Sequence, residues 1–165
     1  MEGAIPLNEL LELLRVRRER ERIVFTNGCF DLLHAGHVDY LEKAKRLGDV
    51  LVVGMNSDSS VRRIKGRERP ILPQELRAKL LSALRPVDYV VIFDEDTPLN
   101  LIKSIRPHVL VKGGDWEIHR IVGREFVESY GGEVVTIPFT YEISTSKIIQ
   151  RILDLYCPRR DPEPS

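Results

Sequence analysis

A chain of 165 residues is long enough for one domain with a core of its own. Its 25 Lys and Arg balance 25 Asp and Glu, so it has no global basic field to draw nucleic acid, and no aromatic-basic stripe is present. Two cysteines, Cys29 and Cys157, are too few for a disulfide framework or a thiolate metal site; no apolar run reaches the ~18 residues of a membrane span; and "MEGAIPLNELLELLRV" lacks a basic region ahead of its apolar residues. These features predict a cytoplasmic protein with no membrane partner and small-molecule substrates.

In chain order, residues 7–20 predict a helix with Leu7, Leu10, Leu11 and Leu14 on one face and Arg17, Arg18, Glu19 and Arg20 in solvent. Residues 1–22 are thus expected to be an appended, linker-like helix whose apolar face covers the domain or a second subunit of a homo-oligomer. "RIVFTN" follows as a strand, "HVDYLEKAKRLG" as a helix stopped by Gly48, and "DVLVVGMN" as a second strand, which makes one βαβ unit. "LPQELRAKLLSAL" predicts a helix with Pro73 in its first turn, "DYVVIF" a strand, "TPLNLIKSI" a helix capped by Thr97, and "HVLVKGG" a fourth strand. "WEIHRIVGREFVESYGG" reads as a helix ending at glycine, "EVVTIPF" as a fifth strand, and "STSKIIQRILDLY" as a last helix capped by Ser144. Near-continuous apolar strands alternating with helices predict an α/β fold: a single-domain, doubly wound, five-stranded parallel sheet over residues 23–156, with residues 157–165 a frayed Pro-rich tail.

Open sheets of this kind bind ligands beyond the carboxyl ends of their strands. After the first strand come Asn27, Gly28, Cys29, Phe30, Asp31 and the pair His34 and His37; after the second, Asn56, Ser57, Asp58 and then "RRIKGRERP". After the third come Asp94, Glu95 and Asp96, after the fourth Lys112 to Trp116, and after the fifth "PFTYEISTSK". Glycines, helix starts and cations converge on one edge, an arrangement suited to phosphate. Gly28 permits a sharp turn and close approach of a ligand, and Gly36 admits a phosphate against a helix turn whose free amides carry roughly half a positive charge. His34 and His37, one turn apart, can donate to oxygens of one phosphoryl group as they gain charge. Lys65, Arg77, Lys112 and Lys147 can supply positive charge around a triphosphate, while Ser144 to Ser146 open a helix whose amides and hydroxyls can hold its outer phosphates.

Plainer readings stand beside these. A histidine pair at a helix start is as often a cap or a surface feature; "RRIKGRERP" reads as a solvated loop; and Asp94 to Asp96 read as complementing the dipole of the helix after them rather than as a metal cluster. Cys29 is placed like a nucleophile, yet no base partner is fixed beside it, and it reads as a small packing residue.

"TNGCFDLLHAGH" together with "ISTSK" resembles the two signatures of the nucleotidyltransferase superfamily, its HxGH motif and its Ser/Thr-rich helix start. More narrowly, "NSDSSVRRIKG", "EDTP", "LVKGGDW", "GGEV" and "STSKII" are similar to the adenylyltransferase domain of ADP-heptose synthases. The resemblance implies a Rossmann-like nucleotidyltransferase fold and transfer of AMP from ATP to D-glycero-β-D-manno-heptose 1-phosphate for lipopolysaccharide core assembly, with Mg²⁺ as the expected ion and no metal-ligating residue assigned. In many members that domain follows a sugar kinase; none precedes it here, which implies the stand-alone form. By position the resemblance assigns catalysis to His34, His37 and Lys65. It assigns nucleotide binding to Thr26, Asn27, Gly28, Cys29, Phe30, Gly36, Lys112, Gly113, Ser144, Thr145, Ser146 and Lys147. Substrate shaping falls to Asp31, Asn56, Asp58, Arg77 and Trp116. Threonine replaces Cys29 in similar enzymes, which argues against thiol chemistry. The alternatives are a cytidylyltransferase acting on glycerol 3-phosphate or a similar small phosphate, and a non-catalytic nucleotide-binding module.

Overall fold

The computed structural model describes residues 3–114 and 117–157. Its five strands, β1 (Ile23–Gly28), β2 (Val50–Asn56), β3 (Tyr89–Phe93), β4 (Val109–Gly113) and β5 (Glu133–Ile137), form one sheet in the order β3-β2-β1-β4-β5, every pairing parallel. The helices among the described residues are α1 (Leu7–Arg17), α2 (Ala35–Lys45), α3 (Asp58–Lys65), α4 (Gln74–Ser82), α5 (Leu99–Ile105), α6 (Arg124–Ser129) and α7 (Thr145–Tyr156). Side chains alternate across a pleated strand, so adjacent residues feed two cores. Phe25, Val52 and Phe93 pack with Leu10 and Leu14 of α1, Ile102 and Ile105 of α5 and Val127 of α6. Val24, Leu51, Val53 and Val111 pack with Tyr40 and Leu41 of α2 and with Ala78 and Leu81 of α4. The doubly wound parallel sheet expected from the strand pattern is present, and the apolar face of α1 lies on the protein's own sheet.

Local differences from the sequence-based expectations have physical causes. Asp58–Lys65 form a helix, α3, that takes in the start of the run read as a solvated loop: the Ser57 hydroxyl accepts from the Ser60 amide at 3.1 Å and caps it, and Gly66, at φ +104°, ends it. The helix expected over residues 116–132 is divided into a 3₁₀ turn (Ile118–Arg120) and α6, because Gly123 takes a left-handed φ of +89°. A Cβ there would also come within 2.7 Å of Ile102. Thr97 does not cap α5, which begins after Pro98 without a side-chain cap. Asp94 and Asp96 lie ahead of that helix's first turn and are bonded elsewhere: Asp94 accepts from the Ser57 hydroxyl at 2.5 Å and from Ser59, and Asp96 pairs with Arg63 at 2.7 Å. The basic end of α1 is not simply solvated, since Arg17 bonds Glu21 and Tyr89, and Arg18 donates to the Ile105 carbonyl at 2.7 Å.

From β1 the chain winds outward through β2 to β3, then crosses to β4 on the other side of β1. The crevice beyond the carboxyl ends of β1 and β4 is the switch point where open sheets bind ligands.

Candidate active site

β1 delivers a tight turn at that crevice. Phe30 takes a left-handed φ of +46°, its ring is buried, and a Cβ on Gly28 would come within 3.0 Å of that ring. His34 is the N-cap residue of α2 and His37 lies in its first turn. Their rings stack at 3.8 Å between centroids, 24° apart, and the Phe30 ring lies 5.2 Å from His37. Burial lowers the pKa of both imidazoles; for His37, burial and then the neighbouring His34 lower it to about 4, so it is neutral at pH 7. Nδ1 of each ring is buried with no hydrogen-bond partner among the described residues, a state suited to a ligand that brings polar atoms. Gly36 is buried, and a Cβ there would meet the His34 ring at 3.1 Å and Ile143 at 3.3 Å. Its bare Cα therefore makes room for the imidazole and for the segment ahead of α7.

Several predicted ligand-binding residues turn out to be the frame of the site. Asp31, expected to shape the substrate, is buried; its carboxylate accepts from Arg69 at 2.5 Å and from the amides of Ile71 and Leu72 at 2.7 and 3.0 Å. Those three bonds hold its pKa below the usual range against the opposing effect of burial. Arg77, also expected at the substrate, is fully buried in α4 and donates to the carbonyls of Leu72, Cys29 and Asn56 and to Asp58. Asp58 is thereby committed to Arg77, and the Asn56 amide donates to the Ser60 hydroxyl at 2.9 Å. The Thr26 hydroxyl is buried against Tyr40 at 2.5 Å, so only the Thr26 backbone belongs to this region. Burial raises the Cys29 pKa, which keeps its thiol protonated. Lys147 reaches the Glu142 carbonyl at 3.1 Å and does not line the cavities described next. Trp116 lies outside the described residues.

What remains surrounds two adjoining cavities. One, of about 220 Å³, is lined by Asn27, Gly28, Asn56 and Lys112, together with Thr97, Arg120, Ile121 and Val122. The other, of about 270 Å³, is lined by His34, His37, Lys65 and Arg69, and by Phe139, Ile143 and Ser144 to Ser146. They are lined by neighbouring residues: Gly28 and Ile64 face the first, Phe30 and Lys65 the second. Burial pushes the Lys112 ammonium below the usual lysine range, and an adjacent anion would offset that cost. The Ser144 hydroxyl caps α7 by accepting from the Lys147 amide at 3.2 Å, so the positive end of that helix opens on the second cavity. Arg69, Thr97, Arg120 and Phe139 were missed. Arg69 is legible afterwards as the basic partner that buried Asp31 requires, whereas Arg120 lies in the segment read as continuous helix.

A cavity that brings Lys65, Arg69 and a helix N-terminus to a histidine pair, with no activated nucleophile among the described residues, fits a class, the nucleotidyltransferases. The chain belongs to the cytidylyltransferase-like family, whose model matches residues 25–151. It is 59% identical over 140 residues to the bifunctional protein HldE of Geobacter sulfurreducens, covering 85% of this chain and 29% of that protein. It is 57% identical over 148 residues to the bifunctional protein HldE of Pelobacter propionicus, covering 89% of this chain and 30% of that one. The chain thus spans under a third of the length of these curated relatives. Among solved structures, a lipopolysaccharide core biosynthesis protein from Thermoplasma volcanium superposes with a TM-score of 0.61 at 28% identity, over 74% of this chain and 99% of that one. The pantoate-β-alanine ligase of Francisella tularensis, with a TM-score of 0.60 at 13% identity over 96% of this chain and 80% of its own, shares the fold. No helix among the described residues is long and apolar enough to cross a membrane.

Proposed function

We propose that this chain transfers the adenylyl group of ATP to D-glycero-β-D-manno-heptose 1-phosphate, releasing pyrophosphate. One observation carries the reading: the stacked His34 and His37 open on the same cavity as Lys65, Arg69 and the positive end of α7. The motif resemblance and the similarity to the bifunctional HldE proteins and to a lipopolysaccharide core biosynthesis protein support the substrate pair. A phosphate oxygen of the sugar attacks the α-phosphorus in line, a P–O bond forms, and the bond to the β-phosphate breaks. The sugar phosphate is itself the nucleophile. His34 and His37 donate to oxygens that gain charge, Lys65 and Arg69 neutralise the departing pyrophosphate, and Lys112 draws the acceptor's phosphate to the adjoining cavity. Mg²⁺ would arrive on the triphosphate, held by phosphate oxygens and water. That route suits a cavity whose one lining carboxylate, Asp31, is committed to Arg69, and a chain in which no cluster of metal-ligating side chains is found among the described residues.

The test is pyrophosphate release with ATP, CTP and GTP against heptose 1-phosphate, other sugar 1-phosphates and glycerol 3-phosphate. The expected result is turnover with ATP and the heptose phosphate. Activity confined to CTP and glycerol 3-phosphate would overturn the substrate assignment and keep the family; absence of turnover with every pair would favour a binding module.

A further inference from the structure

The connection from β5 to α7 carries Phe139, Tyr141 and Ile143 at alternate positions, and all three are exposed, Phe139 to 59%. Phe139 and Ile143 also line the cavity that holds the histidine pair. The Phe139 ring is firmly backed. It meets the Tyr40 ring edge to face at 6.2 Å and 66°, and Tyr40 is in turn fixed to the Thr26 hydroxyl and the Val111 carbonyl. Below it lies Gly113, the last residue of β4, where any Cβ would come within 2.9 Å of the ring. Backbone, glycine and tyrosine thus hold the ring at the switch point while more than half of the side chain stays open. Phosphates give no reason for such a wall, because the histidines, Lys65, Arg69 and the start of α7 already meet them. A nucleoside supplies the reason, since every base has an apolar face that stacks on an aromatic ring.

We propose that Phe139 is the platform on which the base of the bound nucleoside triphosphate stacks, with the triphosphate running from it toward His34, His37 and the head of α7. Stacking grows with ring overlap, so this wall favours a purine over a pyrimidine and makes Phe139 a determinant of ATP over CTP. The inference rests on the reading of this cavity as the triphosphate site and adds to it where the base lies and what selects it.

Titration calorimetry with ATP, CTP and inorganic tripolyphosphate on the wild type, Phe139→Ala and Phe139→Trp separates the contributions. Phe139→Ala should weaken ATP about tenfold or more, the lower end of what one stacked base contributes, weaken CTP less, and leave tripolyphosphate unchanged. Phe139→Trp should restore ATP affinity, which excludes a folding defect at this exposed position. Unchanged ATP affinity in Phe139→Ala overturns the proposal, as does an equal loss for ATP and tripolyphosphate. Wild-type protein that binds neither ATP nor tripolyphosphate overturns both this inference and the assignment of the cavity. A Phe139-dependent preference for ATP in a protein inactive on every sugar phosphate would uphold the platform and sink only the proposed reaction.

Discussion

At the scale of single residues, the stacked histidines are the groups proposed to stabilise the transition state, and their burial shapes the response to acid. His37→Ala should lower kcat by about a hundredfold or more, the scale for losing one transition-state donor, with the melting temperature little changed. A folded variant of undiminished turnover would remove His37 from the mechanism. Cys29→Thr should retain near-normal turnover, because burial keeps the thiol protonated and its contact with the Asn56 amide oxygen is a long 4.0 Å. The pH dependence of stability follows from the imidazole as well. His37 titrates near 6.5 when free and at about 4 in the fold, so the unfolded chain binds more protons between those values. Stability should therefore fall as pH is lowered from about 6.5 toward 4, and His34, shifted the same way by burial, adds to the loss. Asp31, whose pKa is lowered, gives up its contribution only at more acidic pH, as its carboxylate protonates. Urea denaturation at pH 7.5 and pH 5 should show the decline, and His37→Asn should flatten part of it; an unchanged slope would mean that the ring is more hydrated than its burial implies.

Arg77 shows how the elements hold that constellation still. Its guanidinium ties the turn after β1, the end of β2, the start of α3 and the approach to α4, so all four share one buried cation. Arg77→Met should destabilise the protein by about 3 kcal/mol or more, since it strands Asp58 and several buried carbonyls. A loss below 1 kcal/mol by denaturant titration would show that water takes over these contacts. Strands and long helices were legible from the sequence because burial writes a period into it: β2 is buried throughout, and α4 alternates Ala78 and Leu81 with exposed neighbours. The site was half legible. The glycines, His34 and His37 follow from where a strand end meets a helix start, but Arg77 and Asp31 look like surface charges in one dimension. Only the fold shows that they are buried against loops distant in sequence. The helix α3 was missed because its stabilising partners, Asp94 and Asp96, lie more than thirty residues away and periodicity cannot register them.

For the molecule as a whole, α1 is integral to the core. Leu10 and Leu14 are completely buried with Val91, Phe93 and Ile105. Leu14→Ala should cost about 2 to 5 kcal/mol, as other leucine truncations in packed cores do, and unfolding should remain a single transition. A small loss, or a separate early transition for α1, would return it to the status of a linker. The strand order carries one more consequence, which concerns the order of events during folding. β1 pairs on one side with β2, some twenty residues on, and on the other with β4, where Val24 faces Val109. While the chain is being made, β1 to β3 can assemble early and leave one edge of β1 open, a surface prone to unwanted pairing until the later strands arrive. The histidine turn hangs from that open edge. The two histidines thus follow the first strand, whereas Phe139, Ile143 and the head of α7, which complete their cavity, follow the last, so a chain halted after β3 would hold a half-sheet with both histidines and no pocket to put them in.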